Sequence, residues 1–265
     1  MTVELYGSKD HSCLMFTDLL EDDGDAIQAN QMVIINGDEA AIIDPGGPLV
    51  YNSLYMELSK YVAPQKLTYL IASHADPDVL TSLDRWLTTT SAKLVISRIW
   101  ERFVPHLAKS GKTKGRVISV PDQGGLLPLG SSRLHILPAH FLHSEGNFNF
   151  YDPISRILFT GDLAVSLSSG TQAQQPVTDL AAQIPLMESY HRRYMGSNKI
   201  LRLWVEMVRG LSINMIVPQH GAPIKGKQAI NDLLDWLQEL SCGMDLMGQN
   251  HYQLPSEKID PGLAR

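Results

Sequence analysis

Cysteine is scarce in this chain of 265 residues: Cys13 and Cys242 stand far apart with no Cys-x-x-Cys pair, so nothing signals a disulfide framework or a thiolate metal site. Basic residues are also in short supply. Lys and Arg number 22 against 28 Asp and Glu, and a formal charge of −6 argues against a nucleic-acid partner or an anionic membrane surface. No apolar run reaches the roughly 18 residues of a membrane span, and the opening MTVELYGSKDHSC lacks the basic-then-apolar order of a secretory leader. A reduced, cytoplasmic protein is expected. Gly-x-Gly-x-x-Gly and Gly-x-x-x-x-Gly-Lys-[Ser/Thr] are both missing, so dinucleotide and P-loop chemistry have no support. With no repeat, long linker, or concentration of Gly or Pro, the sequence reads as one domain over 1–265, ending in a loosely packed arm from about 248.

What is present alternates between two element types. VELYG, SCLMF, NQMVIIN and AAIID read as strands joined by turns, with a hairpin at NGDE. Residues 49–61 carry apolar positions at helical spacing, and LTYLI is a buried strand. Then come VLTSLDRWL as a helix, KLVIS as a strand, IWERFVPHLAKSG as a helix closed by Gly111, and RVISV as a strand. Strands return over 124–159, helices over about 180–210, then the strand INMIVP and a last helix KQAINDLLDWLQEL. Two β-rich groups, each followed by helices, predict an α/β (α+β) chain in which two sheets pack face to face with helices outside.

Four loops carry chemical side chains just beyond an apolar strand: SHADPDVL with His74, Asp76 and Asp78, HFLHSEGNF with His143, ILFTGDLAV with Asp162, and MIVPQHGAP with His220. Scaffolds present functional groups on such loops. Each also has a plainer reading: Asp76 as a helix cap before Pro77 and Asp78 as a first-turn acid, Thr-Gly-Asp as a turn, and Gln-His-Gly as a strand exit. Capping accounts for the acids of SHADPD but leaves His74 idle, so the loop is expected both to start a helix and to aim ligands from its first turn.

In that order and spacing, these residues resemble the metallo-β-lactamase fold superfamily, whose members carry a His-x-His-x-Asp-His loop, then a His, an Asp often preceded by Gly, and a late His. The resemblance implies a four-layer αββα sandwich. Here an acid replaces the loop's second His, as in the flavodiiron branch with its His-x-Glu-x-Asp-His. This chain has the shorter Asp76 at that position and Val79 in place of the final His. Carboxylate-rich sites suit harder or redox-active metals, and the resemblance implies two Fe ions, with Mn or Zn as alternatives. His74, Asp76 and His143 would hold one, Asp78 and His220 the other, with Asp162 bridging at the roughly 3.5–4 Å spacing of two-metal sites. Val79 would leave the second ion an open position.

Flavodiiron enzymes add a flavodoxin-like domain. The sequence leaves no room for one after its last helix, so no FMN is expected on this chain. It is most similar to the stand-alone oxygen-binding diiron proteins of bacterial sensing. The resemblance implies a non-haem diiron protein that binds O₂, with NO as a further ligand, as a sensor or carrier signalling to a partner. An O₂ or NO reductase fed by a separate flavoprotein and a metal-dependent hydrolase are the alternatives, and a homodimer is one of the assemblies open to it. Glu188, His191 and Tyr194, at spacings of three on one helix, are candidates for supporting the site. His140 is the first substitute ligand to consider at the place Val79 vacates. His11, His106 and His251 read as surface residues, and Asp44-Pro-Gly-Gly as a tight turn with a role in the structure or in supporting a ligand.

Overall fold

The structure is a computed structural model that describes residues 1–20, 26–109, 111–168 and 170–256. Among these, seven strands form a first sheet in sequence order: β1 (Thr2–Gly7), β2 (His11–Phe16), β3 (Gln31–Asn36), β4 (Glu39–Ile43), β5 (Leu67–Ile71), β6 (Lys93–Ser97) and β7 (Val117–Val120). Six more form a second: β8 (Gly125–Leu129), β9 (Ser132–Pro138), β10 (Phe148–Asp152), β11 (Ile157–Gly161), β12 (Met215–Pro218) and β13 (Ile224–Lys225), in the order β13-β12-β11-β10-β9-β8. The helices are α1 (Tyr51–Leu58), α2 (Pro77–Leu80), α3 (Leu83–Thr89), α4 (Val104–Leu107), α5 (Thr171–Gln174), α6 (Ile184–Tyr194), α7 (Asn198–Val208) and α8 (Lys227–Glu239).

Three apolar cores reveal the layering. One joins alternate residues of the first sheet (Leu14, Val33, Ile42) to Leu54, Leu83 and Trp86 of α1 and α3. Another joins Tyr151, Leu158 and Ile216 of the second sheet to α7 and α8 through Leu201, Trp204 and Leu233. The third lies between the sheets, where Met15, Ile34 and Ile43 meet Phe148, Phe150 and Phe159. Burying a ring of that size stabilises by about 1.5–3 kcal/mol. Because both faces of β3, β4 and β11 are covered, their sequences are continuously apolar rather than alternating. The result is the expected αββα sandwich, and no helix among the described residues is long and apolar enough to cross a membrane.

Helices deviate from the expected ones where proline or a turn intervenes. IWERFVPHLAKSG is not one helix: Glu101–Phe103 is a 3₁₀ turn, and only Val104–Leu107 is α-helical, with Pro105 in its first turn. A proline further inside would lose a hydrogen bond and strike the preceding turn. VLTSLDRWL divides into α2 and α3, and the 180–210 stretch into α6 and α7. His11, expected at the surface, is only 5% exposed. Of the C-terminal arm, residues 248–256 are exposed and include a 3₁₀ turn at Gln249–His251, while 257–265 lie outside the described residues.

β4, β5 and β6 run parallel, as do β11 and β12, and β9 runs parallel to β11 because each is antiparallel to β10. The carboxyl ends of β4, β5, β9, β11 and β12, and the loops that follow them, therefore gather along one rim of the sandwich. Ligand sites of open α/β sheets form outside such strand ends.

Candidate metal centre

That rim brings together all six of the residues singled out from the four loops. Asp162 sits between the three imidazoles. Its Oδ2 is 3.0 Å from His143 Nε2 and 3.9 Å from His74 Nε2, and its Oδ1 is 3.6 Å from His220 Nε2. Asp76 Oδ2 lies 3.7 Å from His74 Nε2 and 3.5 Å from His143 Nε2, and Asp78 Oδ2 lies 3.3 Å from His220 Nε2. The cluster thus has two halves, His74–Asp76–His143 and Asp78–His220, each facing a different oxygen of Asp162.

The helix-start reading of SHADPD is only half right. Asp76 occupies the N-cap position of α2, extended at φ −72°, ψ 156°, and Pro77 opens the helix, yet the Asp76 side chain makes no capping hydrogen bond. Its carboxylate turns towards His74 and His143 instead. Asp78 lies in the first turn and accepts a hydrogen bond from Gln219 Nε2 at 3.1 Å, a residue adjoining His220.

Two imidazoles are oriented through their Nδ1 atoms. His220 Nδ1 pairs with the Gln28 carbonyl oxygen at 2.8 Å, so it carries the proton and leaves Nε2 free for the site. His74 Nδ1 is 2.8 Å from Ser73 Oγ, and that hydroxyl donates to Asp44 Oδ2 at 2.9 Å while Ser73 N donates to Asp44 Oδ1 at 2.8 Å. Asp44 is fully buried at the start of its tight turn, with φ +54°. Its structural role therefore includes fixing the His74 ring through Ser73. Gly161 makes room for this relay: at φ +56°, a Cβ on it would lie 2.9 Å from Ser73 Oγ and 3.1 Å from Ser73 Cβ. Gly161→Ala is expected to cost about 1–2 kcal/mol in backbone strain alone and to weaken metal uptake by shifting Ser73. Urea unfolding and a metal titration would read the two effects separately, and a variant with wild-type values in both would refute the close-contact account.

Charge in the site is strongly coupled. Burial by itself would push the Asp162 carboxyl up, but His143, His74 and His220 overcome it and hold the group far below the usual carboxylate range. Burial opposes the charge on His74, yet Asp76, Asp162 and Asp44 carry its pKa up to about 9. Asp78 and Asp162 likewise raise His220 against its burial. Burial raises Asp44 to about 6 despite His74 and Ser73. A histidine must lose the proton on its ligating nitrogen before it can bind a cation, and both His74 and His220 are raised, so affinity should climb at least tenfold per pH unit as pH rises towards about 9 and then level off. The sign for folding is opposite. In the metal-free chain the raised His74 contributes stability that is full below the ordinary histidine range and fades as pH rises through about 9. Mn²⁺ titration across that range, followed by paramagnetic resonance of the free ion, should show the climb; a flat affinity would refute it.

The supporting residues sort differently from the expectation. Tyr190, which was not singled out, donates from its hydroxyl to Asp162 Oδ2 at 2.5 Å. Tyr194 stacks on Tyr190 with ring centroids 4.5 Å apart, and its edge meets His143. His191 is fully buried beneath the Asp162 loop. Its Nδ1 donates to the Met187 carbonyl and its Nε2 accepts from Ala164 N at 3.0 Å, while burial pushes its pKa down to about 4. It supports the loop as a neutral ring and has no nitrogen left for a cation. Glu188 pairs with Arg192 on the exposed face of α6, away from the site. His140 bonds the Asp122 carbonyl through Nε2, packs its ring on Phe148 and does not line the cavity. Val79 is fully buried in the core with Leu54 and Trp86 and does not line the cavity. Gly47 and Thr81 instead form the wall by Asp78.

A cavity of about 450 Å³ opens on the cluster, with Asp76, Asp78, His143, Asp162 and His220 at its floor. Tyr190 and Tyr194 form one wall, and Leu20, Ile27, Leu49 and Val50 make others predominantly apolar.

A sandwich of two sheets whose rim loops assemble three imidazoles around a central carboxylate defines a metallo-β-lactamase-like protein. The family described as ODP family beta lactamase matches residues 27–221, and this chain belongs to it. The chemotaxis sensor ODP of T. denticola, solved in its apo state, is 36% identical, with a TM-score of 0.80 over 93% of this chain and 97% of that one. The same sensor solved as a peroxy diiron species gives 36% identity and a TM-score of 0.82. A flavodiiron protein of Thermotoga maritima shares the fold at 19% identity and a TM-score of 0.73, covering 90% of this chain and 60% of that one. Among curated proteins, diflavin flavoprotein A 1 of Synechocystis is 26% identical over 198 residues, which make up 71% of this chain and 32% of that protein. An uncharacterized protein of Methanocaldococcus jannaschii is 22% identical over 207 residues, 78% of this chain and 51% of that one. This chain spans about half or less of the length of these curated relatives.

Proposed function

We propose that this chain is a non-haem diiron protein that binds O₂ reversibly and acts as an oxygen sensor, with residues 1–265 forming a single diiron domain. The observation that carries the reading is the division of Asp162, whose two oxygens each face a separate imidazole–carboxylate group. The donor set fits iron: three nitrogens and three carboxylates with no sulfur, in which His143 Nε2 and Asp162 Oδ1 are buried without a hydrogen-bond partner. An unpaired buried polar atom is costly, and a cation would satisfy both. His74, Asp76 and His143 would hold one iron, Asp78 and His220 the other, and Asp162 both. Bound iron supplies the electrons that allow O₂ to be held.

The remaining work falls to side chains of this chain. Tyr190 keeps a hydrogen on Asp162 Oδ2, and burial together with Asp162 pushes the phenol far above its ordinary range, so that it stays protonated. The apolar walls favour a small neutral ligand and limit water. Kinship to the chemotaxis sensor supports a signalling role in which a partner protein reads the ligand state; NO is the second diatomic ligand to test.

The test is to reduce the iron-loaded protein anaerobically, admit O₂ and then remove it. A visible absorption band that appears and then fades on removal is expected. Steady O₂ consumption on adding a flavoprotein reductase would replace the sensor reading with that of a reductase, and a zinc protein indifferent to O₂ would end both.

A further inference from the structure

The opposite rim of the sandwich holds a second group of metal-binding side chains. β2 runs parallel to β4, so its first residues lie at the rim away from the His74 loop; β10 runs antiparallel to β11, so its last residue lies there too. His11 and Cys13 from β2 meet Asp152 from β10, and each of the three is at most 5% exposed. His11 Nε2 is 2.8 Å from Asp152 Oδ2, Cys13 Sγ is 3.6 Å from that nitrogen, and Sγ is 3.7 Å from the same oxygen.

We propose that His11, Cys13 and Asp152 form a zinc site joining the two sheets at the rim opposite the diiron loops. Bond lengths of about 2.3 Å to sulfur and about 2.0–2.2 Å to nitrogen and oxygen set the edges of a tetrahedral zinc site at roughly 3.4–3.6 Å. The two edges to sulfur already match, and the nitrogen–oxygen edge has to open by about half an ångström. One thiolate, one imidazole and one carboxylate make a borderline donor set that suits zinc, in contrast to the sulfur-free set at the other rim.

The carboxylate is held for the purpose. Ser155 donates to Asp152 Oδ2 from both its backbone N, at 2.9 Å, and its hydroxyl, and such outer partners orient ligands. A recess lined by Ser8, Lys9, Asp10, Gly37 and Asp38 reaches His11 from solvent, with two acids to one lysine. On binding Zn²⁺ the thiol releases its proton and the imidazole takes the tautomer with hydrogen on Nδ1, so that Nε2, Sγ and a carboxylate oxygen offer lone pairs. The competing account is an ordinary His–Asp pair to which a thiol donates a hydrogen bond, with no cation involved.

Co²⁺ separates the two accounts, because a sulfur-to-cobalt charge-transfer band in the near ultraviolet needs a thiolate and the His74 cluster has none. Titrating the full chain with Co²⁺, after its His74 cluster has been loaded with iron, should produce that band with saturation at about one further ion per chain, and added Zn²⁺ should abolish it. Cys13→Ser should lack the band and Cys242→Ser should keep it. His11→Gln should weaken binding by more than the about 10–100-fold typical of losing an outer-shell partner. No band from the folded wild-type chain overturns the proposal without relying on any variant. A band that survives Cys13→Ser overturns it as well.

Discussion

Asp162→Asn is expected to lower the iron content of the protein from about two ions per chain to near none, whereas Asp78→Asn should leave about one. The difference follows from where the oxygens lie. Oδ2 of Asp162 faces His143 and His74 at 3.0 and 3.9 Å, and Oδ1 faces His220 at 3.6 Å, so one carboxylate serves both halves. An amide offers only one neutral oxygen and brings donor hydrogens towards imidazole nitrogens that need to act as acceptors. Asp78 faces His220 alone among the imidazoles, and its loss leaves His74, Asp76 and His143 intact. Folding should survive Asp162→Asn, because the substitution keeps the shape and the imidazoles that lose its charge can turn neutral. Metal analysis after anaerobic loading, with circular dichroism as the folding control, checks the pair. Equal losses from the two variants would refute the bridging assignment.

Trp86→Ala is expected to destabilise the chain by about 3–5 kcal/mol. Trp86 is fully buried between α3 and the first sheet, its ring meets Tyr51 edge-on at 5.0 Å, and Tyr55 flanks it at 5.9 Å. Its Nε1 donates to the Pro45 carbonyl at 3.1 Å, while Ser82 Oγ donates to the neighbouring Gly46 carbonyl. Truncation therefore leaves a large void and removes one of two donors to the Pro45 carbonyl, leaving it Ser82 Oγ at 3.3 Å, in the turn that begins with Asp44 and continues to Gly47 at the cavity wall. Trp86→Phe should recover most of the packing and lose mainly the hydrogen bond, worth about 0.5–1.5 kcal/mol. Urea unfolding should show the midpoint fall with the slope unchanged. A loss under about 1.5 kcal/mol for the alanine variant would mean that the site collapses around the void.

The four loops were legible because they obey a rule visible in one dimension, an apolar strand followed at once by His or Asp. The layering was legible from two β-rich groups each trailed by helices. What the sequence hid is the phase of each helix and the direction of single side chains. In α6, spacings of three link 188, 191 and 194, but folding sets which stripe turns inward: Met187 and His191 enter the core, Tyr190 and Tyr194 face the cavity, and Glu188 and Arg192 face solvent. Tyr190 was missed for that reason. Val79 stands where the resemblance leads one to expect a His, yet the single turn of α2 sends its side chain into the core. His11 did leave a signal, since a period of two puts it in phase with Cys13 and Met15, whose side chains lie between the sheets; the polar turn before it masked the pattern. Pro105 could have warned that its helix would break.

The rim that carries the cluster is also laced across the gap between the sheets: Phe148 N donates to the Ser73 carbonyl at 2.9 Å, Asn30 N to the Gln219 carbonyl at 2.5 Å, and Asn30 Nδ2 to the Pro218 carbonyl at 3.0 Å. Each of these bonds sits within one residue of a proposed ligand or next to its strand end, so the spacing of the ligands is built before any cation arrives. Preorganisation of this kind makes the protein the ruler and the ion the thing measured. A cation whose preferred bond lengths disagree with the frame must strain its own coordination, because the frame resists adjusting to it. Selectivity among metals of similar charge is then a property of the crosslinked rim as much as of the six side chains it carries.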